Sequence, residues 1–125
     1  MTIGSALVHK GRVIGRGHNM HVQLGGPLLH GEMSAFRNAD RQPTHTYREC
    51  VLHTTPSPCP MCSGTSPLFK ILRIIIAENV DFFGAERWLA REGAWLSIVL
   101  HAKCIELMAR FVHKRPDPRN EDLGV

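Results

Sequence analysis

Three side chains with affinity for metals, together with one carboxylate, are the residues of this chain best suited to chemistry. Cys59 and Cys62 form a C-x-x-C pair in "PCPMC", and His30 and Glu32 lie upstream in "HGE". By itself, a C-x-x-C pair fits a redox couple, half of a structural zinc site or part of a catalytic zinc site. The redox interpretation needs a thioredoxin-like context, and the structural one needs a second pair of ligands.

His30 supplies the partner that the catalytic interpretation requires. One imidazole and two thiolates give three protein ligands, and the fourth position of a tetrahedral zinc site is then left to water. Pro60 is typical of a first helical position. A helix that starts there directs the positive end of its dipole at both sulfurs, which favours thiolates. The residue types and their order therefore favour a catalytic zinc site.

Glu32 lies two residues beyond His30, so its carboxylate can sit beside the metal without binding it. In that position it can take a proton from water and return it to a substrate. The alternative is a first-turn glutamate that only stabilises a helix dipole. Together with "PCPMC", however, the order H-x-E…P-C-x-x-C matches the signature of zinc-dependent nucleobase deaminases, which favours hydrolytic chemistry. Cys50 and Cys104 are instead predicted to be packed as small apolar residues.

Short apolar runs and segments with helical spacing predict the strands and helices that position these residues. Strands are predicted at "IGSALVH", "RVIGRGH", "CVLHTT", "ILRIIIAE" and "AWLSIVL". Helices are predicted over residues 26–42, from Pro60 onward, over 85–92 and over 102–114. The spacing places Leu29, Met33, Phe36 and Arg37 on one face of the first helix, and Cys104, Leu107, Met108 and Phe111 on the core face of the last. The order β-β-α-β-α-β-α-β-α predicts an α/β fold with helices on both faces of a sheet.

The composition sets the class of protein. The chain has 125 residues, of which 43% are hydrophobic, enough for one domain with a real core. Its N-terminus does not read as a signal peptide and it lacks an apolar run long enough to span a membrane, so we expect a cytoplasmic protein. The formal charge of +4 is dispersed among acidic residues, which favours an ordinary solvated surface. Together with the short chain, it favours a small-molecule substrate over nucleic acid.

At this point the chain resembles a known family. The segments "IGRGHNM", "LHGEM", "SPCPMC", "AENVDF" and "NEDLGV" together resemble the fungal and bacterial cytosine deaminases, in order from about Ile3 to Val125. The resemblance implies a three-layer α/β/α cytidine-deaminase-like fold around a mixed five-stranded sheet. It also implies a homodimer and the zinc-dependent hydrolysis of cytosine, a free pyrimidine base, to uracil and ammonia. One deaminase domain would span residues 1–125, with 116–125 as a C-terminal lid or tail.

The resemblance also assigns a role to individual residues. It implies Zn²⁺ held by His30, Cys59 and Cys62, with Glu32 as the proton shuttle. Five residues would contact the base: the Asn19 amide, the Gly31 backbone N–H at the base carbonyl, the Ser57 backbone carbonyl and Asp122 at the amino group, and Phe82 against the ring.

Three departures from the family pattern bear on these expectations. The family pattern has a helix before the strand that begins here at Ile3, and we expect this chain to be without it. Arg119 stands where the family pattern has an aromatic residue, tryptophan, of the C-terminal lid. Pro67 falls inside the helix that follows the C-x-x-C pair, where it is expected to kink the helix. Two alternatives therefore remain. One is the same chemistry on another amino-heterocycle, a nucleoside or an RNA adenosine, and the other is a degenerate zinc protein without activity.

Overall fold

The computed structural model describes residues 4–80, 82–114 and Asp117. The strands are β1 (Gly4–His9), β2 (Arg12–His18), β3 (Cys50–Thr54), β4 (Arg73–Ile76) and β5 (Trp95–Ile98). The helices are α1 (His21–Leu24), α2 (Gly31–Asn38), α3 (Thr44–Arg48), α4 (Pro60–Leu68), α5 (Glu86–Arg91) and α6 (Ala102–Lys114). All five predicted strands and all four predicted helices are present, with shorter bounds in most cases.

The five strands form one mixed sheet in the order β2-β1-β3-β4-β5. β1 runs antiparallel to β2 and β3, whereas β3, β4 and β5 are parallel to one another. Lys10 and Gly11 connect β1 to β2 with φ values of 48° and 78°, the left-handed conformation that suits a two-residue hairpin turn. The parallel strands need crossovers, and α4 and α5 provide them. The predicted mixed α/β sheet is confirmed.

The core lies on one face of this sheet. Side chains alternate along a strand, so Leu7, Leu52 and Ile74, which are in register, share a face and are at most 1% exposed. Around them lie other buried apolar residues of the same cluster: Ala39, Tyr47, Cys50, Ile71, Ile76 and Leu89. Full burial of one such aliphatic side chain stabilises the fold by about 1.5–3 kcal/mol. Burial of these apolar side chains therefore stabilises the packing of the helices on this face.

Helix α2 packs on this face through small residues, which the sequence pattern did not predict. A Cβ at Gly17 would lie 2.5 Å from the Ala35 backbone nitrogen and 2.6 Å from Ser34. The buried residues of α2 are accordingly Gly31, Glu32, Ser34 and Ala35. Of the four residues that the spacing placed on one face, Leu29 lies before α2 and Arg37 is exposed. Met33 and Phe36 are half-buried, and Phe36 packs against the core. The small residues of α2 are buried more deeply because the backbones of α2 and β2 approach closely.

Other differences concern short elements and helix ends. α1 and α3 were not predicted, and the first predicted helix, 26–42, reduces to Gly31–Asn38. Pro67 lies one residue before the end of α4, so it removes a backbone hydrogen bond only in the last turn. This position limits the disruption that was expected from an interior proline.

Helix α6 lies across the opposite face of the sheet. There Cys104 lines a cavity of about 390 Å³ together with Ala6, His53 and Ile75. Of the four residues predicted for the core face of α6, only Met108 is buried, and Leu107 is 37% exposed. None of the helices in the described ranges combines the length and apolarity that a bilayer crossing requires.

Candidate active site

Three metal-binding side chains meet at the edge of the sheet where β3 ends. The donor atoms of His30, Cys59 and Cys62 all lie within 4.8 Å of one another. The His30 Nδ1 atom is 3.5 Å from the Cys59 Sγ atom and 3.6 Å from the Cys62 Sγ atom. A tetrahedral zinc ion, with Zn–N of about 2.0–2.1 Å and Zn–S of about 2.3 Å, separates such donors by about 3.6 Å. The three residues therefore fit zinc.

Two helices begin on these ligands. His30 is the N-cap of α2 and Cys59 is the N-cap of α4, both with extended backbone angles. The Cys59 sulfur accepts a hydrogen bond from the Cys62 backbone N–H at 3.5 Å. Pro60 occupies the first turn of α4, as predicted. It costs no hydrogen bond there, because the first N–H groups of a helix have no partner within the helix. Both helix N-termini thus present their positive ends to the thiolates.

A cluster of three aromatic rings fixes the opposite ends of the same helices. Tyr47 of α3 packs against Phe69, which ends α4, with 4.9 Å between ring centroids. Phe36 of α2 lies 6.3 Å from Tyr47 and 5.8 Å from Phe69. Such pairs contribute about 0.5–1.5 kcal/mol beyond their buried area. The cluster therefore packs α2 and α4 together at the ends that lie away from the ligands.

The two thiols have opposite protonation tendencies. The thiol of Cys62 lowers the pKa of Cys59 to about 4, against the effect of burial and with help from the His30 ring. The same contact, together with burial and the nearby Glu32 carboxylate, raises the pKa of Cys62. The opposite shifts are consistent with two sulfurs in direct contact, and zinc would hold both of them as thiolates, with release of any proton they carry.

Glu32 lies next to the ligands and is held from the strand behind it. The Thr54 hydroxyl, at the end of β3, donates a hydrogen bond of 2.9 Å to the Glu32 Oε1 atom. Burial raises the pKa of Glu32, and hydrogen bonds from its own backbone N–H, from Thr54 and from Cys62 partly oppose that rise. A buried carboxylate with a raised pKa suits a group that accepts and returns protons. Thr54 was not identified from the sequence.

Two of the predicted substrate contacts lie beside the ligands. Asn19 is 2% exposed, and the adjacent Met20 backbone N–H donates to the Leu29 carbonyl at 2.9 Å, immediately before His30. Gly31 is buried as the first residue of α2. Its backbone N–H belongs to the first helical turn, where N–H groups are left free to bind a ligand.

The other three predicted substrate contacts are Ser57, Phe82 and Asp122. Ser57 is 2% exposed, and its hydroxyl donates to the Glu86 Oε2 atom at 2.7 Å. Phe82 is half-buried, and its ring lies next to Gly84. Asp122 and Arg119 lie outside the described residues. The contacts of the Ser57 hydroxyl with Glu86 and Gly84, and of Asn79 with Glu86, were not identified from the sequence, because they join segments that are distant along the chain.

Comparison with known proteins identifies the family. Residues 1–78 match the family described as the cytidine and deoxycytidylate deaminase zinc-binding region. The chain belongs to this family. Both halves of the ligand set lie within the match, so the family's zinc and the His30–Cys59–Cys62 geometry support each other. The chain is therefore a zinc-binding deaminase, as the sequence predicted.

Individual relatives agree with this deaminase assignment. A cytosine deaminase of Candida albicans is 42% identical over 98% of this chain and 82% of its own length. A tRNA-specific adenosine deaminase of Streptococcus pyogenes is 36% identical over 67% of this chain and 54% of its own length. A guanine deaminase structure from Nitrosomonas europaea superposes with a TM-score of 0.67 at 22% identity, over 86% of this chain and 71% of that one, and shows the shared fold. The predicted fold class is confirmed.

Proposed function

We propose that this deaminase hydrolyses free cytosine to uracil and ammonia. The observation that carries the proposal is the 42% identity to a cytosine deaminase over 98% of the chain. The similarity to the tRNA-specific enzyme extends over only 67% of it. A match that continues past the zinc-binding region includes the residues that surround the substrate, and those residues set specificity.

The residues of the site divide into metal ligands and a proton carrier. His30, Cys59 and Cys62 would hold zinc, which when bound supplies a water molecule activated for attack on the ring carbon that carries the amino group. Glu32 takes a proton from that water and delivers it to the adjacent ring nitrogen. It then takes the proton of the hydroxyl group now on that carbon and transfers it to the amino nitrogen, which leaves as ammonia while the ring carbon becomes a carbonyl.

The substrate contacts are proposed from the resemblance and from their positions. The buried Asn19 amide and the Gly31 N–H would bind the polar edge of the base, and Phe82 would pack on its ring. The Ser57 carbonyl and Asp122 would accept from the amino group. A single domain over residues 1–125, with 116–125 as a lid, is part of the proposal. The homodimer and the cytoplasmic location stay predictions.

Ammonia release, measured with bound zinc in the same preparation, tests this proposal. The substrates are cytosine, cytidine, guanine, adenine and a tRNA anticodon stem-loop. We expect about one zinc per chain, as three protein ligands imply, and turnover of cytosine alone. Turnover of a different substrate would keep the chemistry and replace the substrate. Bound zinc without turnover of any of them would favour an inactive zinc protein.

Glu32→Gln tests the proton carrier. The variant should keep zinc and lose activity by about 10²- to 10⁴-fold, the usual contribution of general acid–base catalysis. Glu106→Gln is the matched control, because Glu106 is 65% exposed on α6 and pairs with Arg110 at 3.7 Å, away from the metal ligands. Near-normal ammonia release from Glu32→Gln would remove Glu32 from the mechanism.

A further inference from the structure

A buried carboxyl group joins two loops that flank the metal site. Glu86 is the first residue of α5 and is 4% exposed. Its Oε2 atom accepts the hydroxyl of Ser57 at 2.7 Å. The Asn79 amide nitrogen lies 3.4 Å and 3.3 Å from the two carboxyl oxygens and donates to them. A buried carboxyl group is costly without such partners, so this arrangement holds its three members together.

The Ser57 hydroxyl extends this connection to a third segment. It accepts a hydrogen bond from the Gly84 backbone N–H at 2.9 Å, while it donates to Glu86. Next to it, the Ala85 backbone N–H donates to the Pro58 carbonyl at 3.1 Å. The loop that leads into Cys59 and the loop between β4 and α5 are therefore hydrogen-bonded at two adjacent points.

The backbones of the two loops are in close contact at Gly84. A Cβ on Gly84 would collide with the Pro58 carbonyl oxygen and would lie 3.0 Å from the Phe82 ring. The absence of a side chain at Gly84 lets the two backbones touch. Their separation is thus fixed by contact on one side and by the Glu86 hydrogen bonds on the other.

We propose that Glu86 is a positioning residue that sets the distance between the Ser57 carbonyl and the Phe82 ring. This inference rests on the proposed function, in which the first group accepts from the amino group of the base and the second packs on its ring. Glu86 itself touches no substrate atom. It acts through the Ser57 hydroxyl, which orients the backbone two residues before the ligand Cys59.

A merely structural role for Glu86 makes different predictions. In that case, substitution of Glu86 would lower the free energy of unfolding and the fraction of folded enzyme, and the activity per bound zinc would stay unchanged. A positioning role changes the enzyme that is folded and zinc-loaded. Misplacing a substrate-binding group by a fraction of an ångström impairs catalysis because the reacting geometry is lost.

The central experiment compares Glu86→Ala with wild type, and Glu106→Gln serves as a control for the loss of an acidic residue. We expect Glu86→Ala to keep its zinc and to lower kcat/KM for cytosine by about 10- to 100-fold per bound zinc, with KM raised. Glu86→Gln, which keeps one oxygen for the Ser57 hydroxyl, should restore part of this loss. An unchanged kcat/KM per bound zinc would overturn the inference.

A ligand without the amino group separates positioning from general distortion. Pyrimidin-2-one lacks the group that the Ser57 carbonyl would contact. Its affinity should therefore fall by less than about 3-fold in Glu86→Ala, well below the loss in kcat/KM for cytosine. Equal losses for the two would indicate distortion of the whole site and would contradict the proposal. If Glu86→Ala does not fold, Ser57→Ala breaks the same connection from the other side and decides in its place.

Hydrogen exchange tests the geometry without any substrate. The Gly84 amide should exchange at least about 10-fold faster in the zinc-loaded variant, because its acceptor has lost its anchor. The Ser34 amide, bonded to the His30 carbonyl at 2.8 Å, serves as the internal reference. Unchanged exchange at Gly84 overturns the role of Glu86, whereas a wild-type enzyme that does not turn over cytosine contradicts only the proposed function.

Discussion

Replacing Thr54 by valine removes one hydrogen bond from the proton carrier and little else. The Thr54 hydroxyl donates 2.9 Å to Glu32, and the two residues are 4% and 3% exposed, so water cannot replace the lost donor. A hydrogen bond to a charged group contributes about 1.5–3 kcal/mol. If that energy acts in the transition state, kcat falls by about 10- to 100-fold, since 1.4 kcal/mol corresponds to a factor of ten.

The pH dependence of the same variant gives a second, independent result. The Thr54 hydrogen bond lowers the pKa of Glu32, against the larger effect of burial. Its removal should therefore raise that pKa further. Glu32 must be deprotonated to accept a proton, so activity is lost as the pH falls through its pKa. The acidic limb of the pH–kcat profile should move to higher pH in Thr54→Val.

Steady-state ammonia release across pH, normalised to bound zinc, is the assay for both effects. Thr54→Ser keeps the donor and should retain most of the activity. Thr55→Val is the matched control, because the Thr55 hydroxyl binds the Gly4 N–H at 3.1 Å and not Glu32. A Thr54→Val enzyme with wild-type kcat and an unshifted acidic limb would show that this hydrogen bond does not orient the carboxylate.

Two further predictions concern the metal and the packing of α2. Removal of zinc by a chelator, or by Cys62→Ser, should abolish ammonia release and lower the melting temperature. Added zinc should restore the activity of the chelated wild type but not that of Cys62→Ser. A metal-free enzyme with full activity would contradict this assignment of the zinc ligands. Gly17→Ala should lower the free energy of unfolding in urea by about 1–3 kcal/mol, because its Cβ would lie 2.5 Å from the Ala35 nitrogen. Gly64→Ala, whose Cβ meets no described atom within 4 Å, should raise that free energy by up to about 1 kcal/mol, and equal effects of the two variants would refute this account of α2 packing.

The metal ligands could be predicted because their residue types and order in the sequence match a known zinc signature. Cys59 and Cys62 are three residues apart, as in one turn of a helix, and His30 belongs to the H-x-E motif upstream of them. The strand segments were equally informative, since the apolar, β-branched runs "CVLHTT" and "ILRIIIAE" predicted buried strands, and Leu52 and Ile74 are buried in β3 and β4. Residue type and spacing alone carry these features.

Features that depend on contacts between distant segments could not be predicted. α2 turns its small residues inward because Gly17 leaves space for Ser34 and Ala35, and hydrophobic periodicity contains no trace of this. α3 is only five residues long and depends on packing of Tyr47 rather than on helix propensity. Glu86 has the sequence signature of an ordinary first-turn glutamate, yet its carboxyl group is bound to Ser57 and Asn79.

The central position of β3 has a consequence for the order of folding. In the sheet it lies between β1 and β4, and in the sequence it lies between His30 and Cys59. We therefore expect the two halves of the ligand set to be held together once β3 has paired, and parallel pairing through a crossover is slow. The rate of zinc uptake during refolding should therefore report the rate at which β3 pairs with its neighbours in the sheet. An ion added earlier would find only two sulfurs on an unformed helical turn.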